Sequence, residues 1–131
     1  MILADVGPLY ALAMKRDALH ARAHKELTLL KSQGLVFAVS TGILLETHKL
    51  ILRRERPAFA ASYAGSLLTG SALINLTGDD CAEAQRLLER YPDQKISLFD
   101  AGLYILSQRL NLPIWTFDVD FDILQADVWR A

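Results

Sequence analysis

The chain changes rhythm repeatedly, from short apolar runs to longer stretches in which apolar residues recur every three or four positions. The run Met1–Ala4 breaks at Asp5-Val6-Gly7-Pro8, which predicts a buried first strand turning into a helix over Pro8–Met14 with the proline in its first turn. Asp17 is expected to cap a longer helix through about Ser32, in which Leu19, Ala23, Leu27 and Leu30 keep helical spacing, and Gly34 stops it. Val36–Ser40 reads as a second strand. A helix from Thr41 carries Ile43, Leu44, Leu50 and Ile51, and Pro57 opens another to about Leu68. Ser71–Leu76 reads as a third strand. Thr77-Gly-Asp-Asp80 has the spacing of a capping box, and the helix behind it ends near Tyr91-Pro92. Ser97 starts a further helix that ends before Pro113. Ile114–Phe117 is then a fourth strand and Val128-Trp129 a fifth.

Strands separated by helical segments imply parallel pairing through right-handed crossovers. The expected fold is therefore α/β, a three-layer α/β/α sandwich around a central, mostly parallel sheet of four or five strands. A length of 131 residues fits a single domain spanning 1–131, and 52% hydrophobic residues suffice to bury its core. There is no internal repeat, low-complexity tract or linker.

Composition narrows the picture modestly. A net charge of -1 offers no global attraction for nucleic acid, yet acids neutralised by bound cations would leave the surface mildly basic, so a polyanionic partner stays open. The single cysteine, Cys81, forbids an intrachain disulfide and fits a reducing compartment. The opening apolar run meets Asp5 at once and lacks a basic flank, unlike a signal peptide, and no apolar run approaches the roughly 18 residues needed to span a bilayer. The expectation is a cytoplasmic protein with no membrane association.

Four acids stand out because each lies inside an apolar run: Asp5 in ILADVGPLYAL, Glu46 in TGILLETHKLI, Asp100 in SLFDAGLYIL and Asp118 in PIWTFDVDF. An uncompensated buried carboxylate costs several kcal/mol, so these need hidden basic partners or a shared cation. The basic residues lie elsewhere, in polar stretches such as Lys15-Arg16 and Arg53 to Arg56. By contrast Asp17, Glu26, Glu55, Asp79, Asp80, Glu83, Glu89 and Asp93 fall among charged or turn residues and read as solvated surface acids. Asp120 and Asp122 follow Asp118 closely, at the rim of the same site, and Asp127 has no assigned role.

An open parallel sheet has its ligand crevice beyond the carboxyl ends of its strands. Asp5 ends the first strand and Asp118 the fourth, while Glu46 and Asp100 lie in the first two turns of helices that can lean over that edge. Hard oxygen ligands without thiol or imidazole suit Mg²⁺ or Mn²⁺ rather than zinc. The chemistry such a pocket supports best is phosphodiester hydrolysis.

Each acid also has a local explanation. Asp5 could cap the first helix, Asp100 could complete a capping box with Ser97, Asp118 could cap a short helix after the fourth strand, and Glu46 could be solvated. A shared site explains all four at once. His20 and His24, four apart on a helix, lack a third ligand for zinc. Asp118-Val-Asp120 has the form of a D-x-D phosphatase nucleophile, but too little chain follows for the remaining motifs. No phosphate-cradling glycine motif is present.

The order and spacing of four segments resemble the PIN-domain nucleases, especially the small VapC-type toxins of toxin–antitoxin pairs. The likeness covers nearly the whole chain. It is carried by ILADVGPLYAL with D-x-x-H at Asp17 to His20, by VSTGILLETHKL, by SLFDAGLYILSQRLNLPI and by T-x-D-x-D-F at Thr116 to Phe121. The resemblance implies that Asp5, Glu46, Asp100 and Asp118 hold Mg²⁺ or Mn²⁺ and carry the catalysis, with Asp120 as a supplement. Ser97 and Thr116 would be hydroxyls that orient those carboxylates. It further implies an endoribonuclease acting on RNA, a homodimer, and an antitoxin protein as partner. Two positions depart from the pattern: Val6 stands where Thr or Ser is usual, and Gly7 where a small polar residue is common. The lost hydroxyl keeps a second expectation in view, a weakly active or inactive module of the same fold that binds RNA or a protein. For the RNA backbone, Lys49 and Arg53 lie one and two turns beyond Glu46, and Lys15 and Arg16 are further candidates.

Overall fold

A computed structural model describes residues 1–131. Its elements are β1 (Ile2–Ala4), α1 (Val6–Ala13), α2 (His20–Ser32), β2 (Phe37–Ser40), α3 (Thr41–Leu52), α4 (Pro57–Gly70), β3 (Ala72–Ile74), α5 (Gly78–Glu89), α6 (Leu98–Leu110), β4 (Ile114–Trp115) and α7 (Asp120–Ile123). The four strands form one sheet in the order β3-β2-β1-β4, and every pairing is parallel. Leu3 registers with Ala38 of β2 on one side and Ile114 of β4 on the other. The chain steps outward from β1 through β2 to β3, then crosses back to β4 on the far side of β1. Crossovers of one hand therefore deposit helices on both faces. Accordingly α1 packs on α2 and α3, and α3 on α4, whereas α5 packs on α6.

The inner strand explains its own composition. Ile2, Leu3 and Ala4 are wholly buried because both faces of β1 are covered, so a continuous apolar run replaces alternation. They join Leu9, Leu30, Val39, Ile43, Leu106, Ile114, Trp115 and Phe121 in the main core. A smaller cluster of Ala84, Leu87, Ile96, Ala101 and Leu124 seals the region around α5 and α6.

Several boundaries differ from the sequence pattern, each for a local reason. α1 starts at Val6, two residues before the expected Pro8, because the Asp5 side chain caps the Val6 N–H and proline is tolerated anywhere in a first turn. α2 starts at His20: Asp17 does not cap it but accepts a bond from the Leu19 N–H at 2.8 Å, holding a turn instead. That helix does stop just before Gly34, whose φ of +70° lets the Leu35 N–H reach back to the Leu30 carbonyl at 3.1 Å. The third and fourth strands shrink to Ala72–Ile74 and Ile114–Trp115. The expected fifth strand is only a bridge between Ile114 and Val128, held by the Trp129 N–H on the Ile114 carbonyl.

Two acids read as solvated are buried instead. Asp80 is 3% exposed, completes the capping box with Thr77, and accepts two 2.8 Å bonds from Arg109 on α6. The Arg109 guanidinium holds the Asp80 carboxyl below the usual range. Glu26 is 6% exposed and accepts the indole N–H of Trp115 at 2.6 Å and the Arg22 Nε–H at 2.8 Å. No helix is long and apolar enough to cross a membrane.

Candidate functional site

Parallel strands deliver their carboxyl ends to one edge of the sheet, and the residues just past β1 and β4 meet there. Asp5 follows β1 and is 6% exposed. One carboxylate oxygen caps α1 by accepting the Val6 N–H at 2.7 Å, and the other accepts the Thr116 hydroxyl at 2.6 Å. Thr116 follows β4, and its Oγ1 in turn accepts the Asp118 N–H at 3.0 Å. Asp118 Oδ1 accepts the Asp120 N–H at 2.9 Å, which fixes the turn leading into α7. One threonine hydroxyl thus ties the acid after β1 to the segment bearing the acids after β4.

The helices supply the rest. Ser97 caps α6 by accepting the Asp100 N–H at 3.0 Å, leaving the Asp100 carboxylate in the first turn and half-buried. α3, capped by Ser40, carries Glu46, also half-buried. Asp5, Glu46, Ser97, Asp100 and Asp118 all line one crevice of about 1000 Å³, together with Lys49 and Arg53 from α3. The tightest group is Asp100, Asp118 and Asp120, with one carboxylate oxygen of each within 4.8 Å of the others. Asp120 therefore belongs to the cluster rather than its periphery, while Glu46 faces the crevice outside that trio. Apolar sequence surroundings overstated burial: Asp5 is buried, but Asp118, on the loop leaving the sheet, is exposed.

No cation of the chain forms an ion pair with these acids. The three ion pairs, Arg22–Glu26, Arg109–Asp80 and Arg130–Asp122, all lie outside the cluster. Burial pushes the Asp100 carboxyl up to about 7, helped by the charges of Asp5, Asp118 and Asp120 and opposed by Ser97. Asp5 is raised mainly by burial and further by Asp118 and Glu46, against the bonds from Thr116 and Val6. Burial and Asp118 also raise Asp120. Such acids are held close at an electrostatic cost that a bound cation relieves. Hard oxygens, several per site and without an arginine or lysine partner, fit Mg²⁺ or Mn²⁺; no thiol or imidazole joins them.

The basic candidates divide. Lys49 and Arg53 line the crevice, but Lys15 and Arg16 do not. They sit past the C-terminus of α1 and line a second depression with Tyr10, Arg54 and Phe59. α1 carries Asp5 at one end and this pair beyond the other, so its eight residues, about 12 Å of helix, separate them from the acids. The departures at the start of α1 cause no steric conflict: Val6 lines the crevice without a hydroxyl, and a Cβ on Gly7 would meet Phe117 at an ordinary 3.7 Å. Thr116 supplies the hydroxyl that reaches Asp5. His20 bonds the Ala11 carbonyl through Nδ1 at 2.7 Å, locking α2 to α1.

Sequence reasoning missed Glu26, Arg22, Trp115 and Phe117, which stand behind this edge of the sheet. Arg22 lies 4.4 Å over the ring of Phe117, a residue lining the crevice between Thr116 and Asp118. The i,i+4 spacing of Arg22 and Glu26 was a signal for their pairing, but nothing local pointed to Trp115.

No protein-family model matches the sequence, and no curated protein does. Among solved structures, the chain is similar to VapC20 of Mycobacterium tuberculosis, a sarcin-ricin loop cleaving toxin, with a TM-score of 0.86 and 25% identity over the whole of both chains. It is also similar in fold to VapBC2 of Rickettsia felis, whose structure was solved bound to a DNA fragment from its promoter, with a TM-score of 0.75 and 15% identity over 99% of this chain and 98% of that one. The chain has the α/β PIN fold of the VapC-type toxins and resembles them over its full length.

Proposed function

We propose that this protein is a Mg²⁺- or Mn²⁺-dependent endoribonuclease that hydrolyses RNA phosphodiester bonds, acting as the toxin of a toxin–antitoxin pair. The observation that carries this reading is a single crevice lined by Asp5, Glu46, Asp100 and Asp118, none of them paired with an arginine or lysine. Likeness to a sarcin-ricin loop cleaving toxin supports RNA as the substrate class.

When bound, a divalent ion would supply neutralisation of the carboxylates, polarisation of the phosphate and a more acidic water. Asp5, Asp100 and Asp118 would hold it, with Glu46 and Asp120 completing the negative wall. Asp5 is fixed by two donors, so it presents its carboxylate without rearrangement. Asp100, titrating near neutrality, takes up or releases a proton as the site fills and empties. Lys49 and Arg53 bind the flanking phosphates and offset the field of the acids. Water is the attacking group, and no side-chain nucleophile takes part.

A homodimer and an antitoxin are the protein partners this reading implies. Val6 supports a second reading, a weakly active module that binds RNA or protein, because no hydroxyl stands at that point of the crevice wall. The two part on one assay. Purified protein is incubated with a sarcin-ricin loop oligonucleotide and with total RNA, in Mn²⁺ and in EDTA. Mn²⁺-dependent cleavage that disappears in Asp5→Asn supports the nuclease; binding that survives Asp5→Asn, with no cleavage in either protein, supports the module.

A further inference from the structure

We infer that Arg22 and Glu26 of α2 form a brace that positions the loop carrying Thr116 and Asp118, and so set the geometry of the acidic cluster without touching it. This rests on the nuclease reading only for its consequence on catalysis. The placement itself follows from contacts.

The end of β4 and the loop after it are gripped at Trp115 and Phe117. Trp115, wholly buried, donates its indole N–H to the Glu26 carboxylate at 2.6 Å, and Phe117 lies beneath the Arg22 guanidinium at 4.4 Å. The Trp115 and Phe117 rings meet edge to face, with centroids 6.4 Å apart. The residues between and after them carry the polar groups of the site: Thr116 bonds Asp5, and Asp118 lines the crevice, beside the edge of Phe117. Trp115 and Phe117 are thus held by α2, while Thr116 and Asp118 serve the cluster. Arg22 completes the device by bonding Glu26 at 2.8 Å, so one guanidinium pins the carboxylate and the Phe117 ring together. A buried carboxylate gains little stability over an apolar side chain of similar size. Its distinctive contribution is directional, an acceptor that fixes the rotation of Trp115 and with it the path of the next three residues.

The test uses the full chain without added metal first. Amide hydrogen exchange is followed at Asp118, whose N–H bonds Thr116, in wild type, Glu26→Leu, Glu26→Gln and Arg22→Met. Exchange at Asp118 is expected to accelerate about tenfold in Glu26→Leu while amides of β1 and β2 stay protected, with a matching loss of Mn²⁺ affinity of about tenfold. Glu26→Gln retains an acceptor for the indole and is expected to recover most of both. Arg22→Met, at a half-exposed position that folding tolerates, is expected to loosen Asp118 by a smaller factor. If wild type cleaves RNA, Glu26→Leu should lower kcat with KM within about twofold, the pattern of an interaction realised only in the transition state. Unchanged Asp118 exchange in both Glu26→Leu and Arg22→Met overturns the brace, as does uniform loss of protection across the sheet. Absence of RNA cleavage by wild type overturns the nuclease reading, and the exchange data still decide the brace.

Discussion

Two groups of acids in this chain behave in opposite ways. Glu26 and Asp80 are buried, and each has its own arginine: Arg22 for Glu26 and Arg109, through two bonds, for Asp80. Asp100, Asp118 and Asp120 are less buried, approach within 4.8 Å of one another and have no arginine or lysine partner. The first group is complete; the second is left wanting positive charge. Burial alone therefore does not distinguish a structural carboxylate from one kept for a ligand. What separates them is whether the chain supplies the counter-charge, and the opposite directions of the Asp80 and Asp100 titrations express that difference.

The sharpest way to break the comparison is to remove one acid from each group. Asp100→Asn should reduce Mn²⁺-dependent RNA cleavage by more than about a hundredfold, beyond the range typical of residues that only orient ligands, while the variant stays folded by circular dichroism. Asp80→Ala should do the reverse, costing about 2 kcal/mol in urea unfolding through the lost cap and charged bonds, with specific cleavage by the folded protein within about twofold. Equal effects of the two on cleavage would erase the distinction. Thr116→Val, which removes the hydroxyl shared by Asp5 and Asp118 but keeps its shape, should weaken Mn²⁺ binding by about tenfold in calorimetry.

A smaller effect separates the groups by pH. Asp100 titrates at about 7 in the folded chain, against about 3.9 for an unperturbed aspartate, so the folded state holds more protons between those values. Its contribution to stability should therefore fall as pH rises from about 4 to 7, by roughly 1 kcal/mol once solvent screening of a half-exposed group is allowed for. Asp80, lowered by Arg109, contributes in the opposite sense, losing its stabilisation as pH falls through its depressed titration. Urea melts of metal-free protein should show the Asp100 slope in wild type and lose it in Asp100→Asn.

Much of this was legible from the residues because the signals were local. An apolar run broken by Asp5 marked the end of β1, Thr77 and Asp80 announced a capping box three residues apart, and Gly34 marked a helix end that needs a positive φ. The acids converged because a parallel sheet gathers the ends of its strands, a consequence of topology rather than of any single motif. What escaped was non-local. Glu26 meets Trp115 across 89 positions and Asp80 meets Arg109 across 29, so no window around either acid revealed that it was buried. Lys15 and Arg16 looked close to the acids along the chain, but a rigid helix carried them away. Asp17 looked like a helix cap because its side chain does bond a nearby N–H, only in a turn that precedes the helix.

The most direct test of the central claim is anomalous diffraction from crystals of the protein soaked in Mn²⁺. A manganese peak within coordination distance of Asp100 and Asp118, with Asp5 in reach, is the predicted result. An empty crevice at saturating Mn²⁺, or carboxylates drawn away from one another onto basic side chains, would contradict the account.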